Sequence, residues 1–182
     1  CVVARLAGAV GRRDVPRGVG VCAVNSCPIG EGPGNRRYGT GESEKIDPML
    51  GTNEEFSLLC AAARARGMRV MLDGVFNHQA FVSRYFNGDG SYQSVGAAQS
   101  QDSPYYPWYH FSHWPDHYDS WWGIYSLPAV DESQPTYRDF IFAGENSIIR
   151  RWLNAGPEGG RPGVADELHG DHGQGLHCTH AQ

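Results

Sequence analysis

The sequence predicts an α/β fold built from parallel strands and covering helices, with a subdomain hung from one strand end. Three observations carry this. A capped amphipathic helix runs through a glycine into a near-continuous apolar segment (Met68–Phe76). An aromatic, proline-broken stretch follows over 79–135. A second apolar-striped helix then begins near Pro135. Helix, glycine and buried strand make half of a βαβ unit, and repetition of that unit gives a βα-barrel or a doubly wound sheet.

The elements follow in order. Residues 1–18 show no period and receive no assignment. Val19–Val24 is a short apolar run that reads as a buried strand. Residues 25–51 are irregular and contain Pro28, Pro33 and Pro48. Thr52-Asn53-Glu54-Glu55 has the form of a capping box. The threonine oxygen takes an N–H three residues on, and Glu55 reaches back. The helix then places Phe56, Leu59, Cys60 and Ala63 on one face and stops at Gly67. Over 79–135 no period of 3.6 or 2 persists, and long ordered insertions of this kind usually serve function. From Pro135, Tyr137, Phe140, Ile141, Gly144, Ile148 and Trp152 form one stripe of a helix ending at Gly156. Val164-Ala165 is a candidate further strand. The division is therefore 1–18 unassigned, 19–78 sheet segment, 79–135 insertion, 136–168 sheet segment and 169–182 tail.

Composition bounds the function. The chain has 182 residues, 15 Lys+Arg against 20 Asp+Glu and a net charge of -5, which argues against a nucleic-acid partner. No apolar run reaches the roughly 18–20 residues of a membrane-spanning helix, so no membrane partner is expected. Residues 1–10 lack a charged leader and a cleavage pattern, and a cytoplasmic location is expected. Five cysteines are scattered and odd in number, which suggests neither a disulfide framework nor a zinc site. His169, His172, His177, Cys178 and His180 lack zinc-finger spacing, and no metal is assigned to them. Of 24 glycines, ten fall in residues 1–51 and seven in 156–182. The ends therefore differ in composition from an ordinary globular middle.

Asp73-Gly74-Val75-Phe76-Asn77-His78 brings three polar groups to the carboxyl end of the buried strand, where parallel α/β proteins place their active sites. This segment resembles the first signature region of the α-amylase superfamily, glycoside hydrolase family 13. Lys45–Thr52 resembles the segment before the second barrel helix in its neopullulanase and cyclomaltodextrinase branch. Ser120–Ile124 and Ser126–Asp131 resemble the branch's insertion and the region closing it. The four motifs occur in the family's order between about Pro28 and Glu167.

The resemblance implies part of a (β/α)8 TIM barrel, about strands two to four, with 79–135 as domain B. It implies hydrolysis or transfer at α-glucosidic bonds with retention, on starch-like glucans, cyclodextrins or pullulan. An α-glucan oligosaccharide is the expected partner. Tyr38 would stack on the reacting sugar, His78 would hydrogen-bond it, and Arg161 would orient the nucleophile. Trp121, Trp122, Trp108 and Tyr109 fit sugar platforms, since aromatic faces match the C–H face of a pyranose; most of them are expected to form the insertion's own small core, with one or two touching glucan. Asp73, Asn77 and Asp131 read as structural residues of the rim. No cofactor is expected; calcium, held in some relatives through the residue matching Asn77, is the one metal the resemblance leaves open. The branch often dimerises through a further domain, so the parent is a candidate homodimer.

Two departures stand out. The position matching the catalytic nucleophile is Gly163, which has no side chain. The family's general acid and third carboxylate fall later in its order than residue 182. The segment Asn-His-Arg-Tyr-Asp-Thr-Ala-Asp-Tyr corresponds to Asn35–Ser43, with Gly39 replacing the first acidic residue. The chain as written is therefore expected to be inactive. The alternative is a catalytically dead amylase-like protein that only binds glucan.

Overall fold

Three parallel strands carry the sheet: β1 (Ala23–Ser26), β4 (Arg69–Gly74) and β7 (His169–Gly170), in the order β1-β4-β7. The computed structural model describes residues 23–34, 37–154 and the backbone of 169–170. Two short strands, β2 (Gly30–Glu31) and β3 (Glu42–Ile46), pair separately. The expected strand at Val19–Val24 is seen as Ala23–Ser26; its earlier residues, and the candidate strand at Val164-Ala165, lie outside the described residues. Val24 is not buried as expected but keeps 42% of its surface. In β4, Val70 and Leu72 are buried and Arg69 is exposed. The strand therefore alternates, where the apolar run suggested cover on both faces.

Helix α1 (Asn53–Arg64) forms as its cap dictates. Thr52 Oγ1 accepts the Glu55 N–H at 3.2 Å, and Glu55 Oε2 accepts the Thr52 N–H at 3.0 Å. These bonds satisfy two donors that a bare helix start would leave open. Phe56, Cys60 and Ala63 are the buried face, three and four residues apart as a helical stripe requires. Gly67 takes φ 72°, the left-handed conformation in which glycine ends helices without steric cost. Phe56 meets Trp152 edge-on at 5.7 Å.

The predicted helix from Pro135 is broken. Helix α2 (Pro135–Arg138) passes into a π-helical turn (Asp139–Ala143), and α3 (Ile148–Leu153) starts afresh. The break falls at Gly144, whose N–H bonds the Asp139 carbonyl at 3.0 Å. A Cβ there would lie 2.7 Å from that carbonyl oxygen, so only glycine fits this closure. The stripe nevertheless buries Tyr137, Ile141, Ile148 and Trp152.

The chain divides into two units, one containing Cys1–Ile29, Glu44–Gly74 and Ile149–Gln182, the other Gly30–Ser43 and Val75–Ile148. The second unit holds most of the aromatic residues. Its regular structure is slight: a hairpin of β5 (Phe111–His113) and β6 (His117–Tyr118), and 3-10 turns at Tyr106–Trp108 and Trp121–Gly123. Packing replaces regularity. Phe86, fully buried, touches the rings of Phe81, Tyr109, Phe111 and Tyr118. No described helix is long and apolar enough to cross a membrane.

Candidate functional site

The segments that the sequence singles out separately are laced together in the second unit. Beyond β4 the chain passes through Asn77 and His78. Val130 N–H bonds the Asn77 carbonyl at 3.0 Å, and Gln79 N–H bonds the Pro128 carbonyl at 3.1 Å. His78 and Ala129 form an antiparallel bridge, as do Ser120 and Pro128. Ala80 N–H reaches the Thr40 carbonyl at 3.0 Å. Residues 38–41, 77–81, 119–121 and 126–130 thus meet through their backbones.

His78 is at the centre and only 4% exposed. Its Nε2 lies 3.0 Å from the Tyr38 carbonyl oxygen. A carbonyl can only accept, so Nε2 carries the hydrogen and donates, which leaves Nδ1 as an acceptor. Nδ1 is buried and has no hydrogen-bond partner among the described residues. Burial pushes the imidazole pKa below its ordinary value, against the opposing pull of the Tyr38 bond, so the ring is neutral at pH 7. The Trp121 ring covers it, with centroids 5.0 Å apart and planes inclined 31°. Trp122 stacks on Trp121 at 4.9 Å and 8° and is 85% exposed.

Tyr38 is 36% exposed. Trp121 packs against both His78 and Trp122, so it is not an open platform in this conformation. Trp108 and Tyr109 are not platforms either: they are 4% and 5% exposed. Trp108 Nε1 donates to Thr136 Oγ1 at 3.0 Å and Tyr109 OH to Gln79 Oε1 at 3.1 Å. Both are core, because an insertion without regular structure must bury its own aromatic surface.

Asp73 is half-buried in β4, and Asn77 is half-buried where the chain leaves that strand. Asp131 is exposed; its Oδ1 accepts from Ser133 N–H at 2.9 Å and Ser133 Oγ–H at 2.6 Å. It fastens the turn before α2. Arg161 and Gly163 lie outside the described residues, as do the side chains of the histidine-rich tail. Among the described residues no group of three or more His, Cys, Asp or Glu could hold a metal ion.

Sequence reasoning missed a buried ion pair beside this site. Glu42, 3% exposed, accepts from Arg84 Nη1 at 2.8 Å and Tyr85 OH at 3.0 Å. The hydrogen bond to Glu42 leads in raising the Arg84 pKa. Glu42 stands where the family segment has its second acidic residue, and that correspondence was the available signal. At Gly39 a Cβ would lie 3.2 Å from Leu127 Cδ2, so an aspartate there would require Leu127 to move.

The alpha amylase catalytic domain profile matches residues 5–155. The chain belongs to the alpha-amylase family. Within it, an amylopullulanase of Thermoanaerobacterium thermosulfurigenes is 37% identical over 173 residues, 88% of this chain and 9% of that protein. An intracellular maltogenic amylase of Bacillus subtilis is 31% identical over 167 residues, 90% of this chain and 26% of that protein. Among solved structures, a cyclic alpha-maltosyl-(1→6)-maltose hydrolase of Arthrobacter globiformis is similar at a TM-score of 0.71 and 29% identity, covering 85% of this chain and 34% of that one. This alpha-amylase family chain thus spans a small part of the length of the relatives it matches.

Proposed function

We infer that this chain is the glucan-holding segment of a retaining glycoside hydrolase acting on α-glucosidic bonds of starch-like glucans, cyclodextrins or pullulan. The meeting of Tyr38, His78 and the Trp121 segment carries the reading. A neutral imidazole with an unused acceptor, bonded to the backbone of an exposed tyrosine, suits a ligand that offers both hydroxyls and C–H faces. Strands β1 and β4 would be the second and third of a (β/α)8 barrel, and the segment around Arg161 and Gly163 would carry the fourth.

A retaining mechanism needs two carboxyl groups about 5 Å apart, one nucleophile and one acid/base. Gly163 at the nucleophile position supplies neither. The chain as written would therefore bind glucan without cleaving it, and the longer enzyme would carry aspartate there. Beside the Arg161 guanidinium that aspartate would stay ionised and able to attack the anomeric carbon. The same glycine favours a second reading, an amylase-like protein that binds glucan and never hydrolyses it. Incubation of the 182-residue chain with maltoheptaose, pullulan or β-cyclodextrin should release no new reducing ends. A longer protein with aspartate in place of Gly163 should release product in the α configuration by proton NMR. β-Anomeric product would exclude the retaining reading, and an inert longer protein that still binds glucan would establish the second.

A further inference from the structure

We propose that Trp121 and Trp122 form a lid over the His78 imidazole, and that a glucosyl residue takes the place of Trp121 when glucan binds. The inference rests on the glucan reading above and concerns how that site opens.

Four observations support it. His78 Nδ1 is buried without a partner among the described residues, and a buried acceptor with nothing to accept from is costly and uncommon. A sugar hydroxyl would satisfy it. Secondly, a side chain lies over the imidazole: the Trp121 indole, 5.0 Å away, which places no hydrogen bond on Nδ1. Thirdly, Trp121 stacks in turn on Trp122 at 4.9 Å, a residue 85% exposed. The cover is therefore itself packed against a ring standing in water.

Fourthly, the turn carrying the pair is strained. Trp122 takes φ 52° and ψ 28°, and Gly123 follows at φ 74°. A left-handed tryptophan is a sparsely populated state that persists only where its surroundings over-determine it, and such strain concentrates at clamps and switch regions. Here the turn is fixed at both ends. Trp121 N–H bonds the Leu127 carbonyl at 2.9 Å, Gly123 N–H the Ser120 carbonyl at 3.2 Å and Ile124 N–H the Trp121 carbonyl at 3.0 Å. The fixed backbone leaves rotation of the two indoles as the opening motion.

The closed lid lowers apparent affinity by the fraction of molecules that are open. Removing it should therefore tighten binding, whereas removing a platform weakens it. Maltose is titrated by calorimetry into the 182-residue chain and its Trp121→Ala and Trp122→Gly variants, with the His78 ring resonances followed by NMR. Trp122→Gly removes the outer ring and the strain together, and stands in if the Trp121 variant fails to fold. Both variants should bind maltose at least about tenfold more tightly, the change for a site open in no more than about 10% of molecules. In the unsubstituted chain, maltose should shift the His78 ring resonances towards their positions in free Trp121→Ala. Weaker binding by either variant would make the indoles platforms and overturn the lid while leaving the glucan site standing. Unaltered affinity in both would overturn the lid too. Absence of maltose binding in all three would overturn the glucan reading and the lid with it.

Discussion

Asn87→Ala is expected to destabilise the aromatic unit by about 3–5 kcal/mol, the sum of several lost hydrogen bonds and a backbone penalty. Asn87 has no solvent exposure. Its Nδ2 lies 2.9 Å from the Tyr92 carbonyl, 2.8 Å from the Ser94 carbonyl and 2.9 Å from Gln99 Oε1. Its Oδ1 accepts the Tyr92 N–H at 3.1 Å. One side chain thus ties together a loop that has no helix or sheet to hold it. Its φ is 53°, a conformation asparagine tolerates and alanine does not. Truncation strands these buried groups, each costing about 1–3 kcal/mol when left unpaired, although some will reach water as the loop loosens. Asn87→Gly should recover only the backbone share. Urea unfolding monitored by aromatic fluorescence measures both; a loss under 1 kcal/mol for alanine would refute this role.

Glu42→Ala is expected to cost about 2–4 kcal/mol, because it removes one member of a buried charge pair and leaves the others uncompensated. Tyr85, 2% exposed, would lose the acceptor for its hydroxyl. Arg84 keeps 31% of its side chain exposed, so its charge can turn to water, which holds the cost below that of a fully enclosed pair. Glu42→Gln should fall between, since an amide oxygen still accepts from Tyr85. A double-mutant cycle with Arg84→Met should give a coupling of about 1–3 kcal/mol between the two positions. Additive losses would show that the pair does not interact.

The parts legible in the sequence are those governed by short-range rules. Thr52 and Glu55 announce the start of α1 because their partners lie three residues away. The stripe from Tyr137 to Trp152 announces which residues are buried. Its division does not follow from the stripe, because Gly144 fits an apolar face as well as it fits the closure against Asp139. Long-range partners were illegible for a related reason. Glu42 and Arg84 are 42 residues apart, and neither carries a local signal for the other. The site was recognisable as a set of motifs, but its arrangement was not. Nothing local places the Trp121 ring over His78, and Trp108 reads the same as an exposed tryptophan until its burial is seen.

The central claim, a glucan site at Tyr38, His78 and the Trp121 segment, is tested most directly by NMR titration of the 182-residue chain with maltoheptaose. The tryptophans supply internal controls. Trp121 and Trp122 lie at the site, whereas Trp108 Nε1 is bonded to Thr136 and Trp114 Nε1 to the Ala97 carbonyl. The predicted result is that the indole N–H signals of Trp121 and Trp122 and the ring signals of Tyr38 and His78 shift together and saturate. Those of Trp108 and Trp114 should stay in place. Saturable shifts at Trp108 or Trp114 with Trp121 and His78 unmoved, or no saturable shift at all, would contradict it.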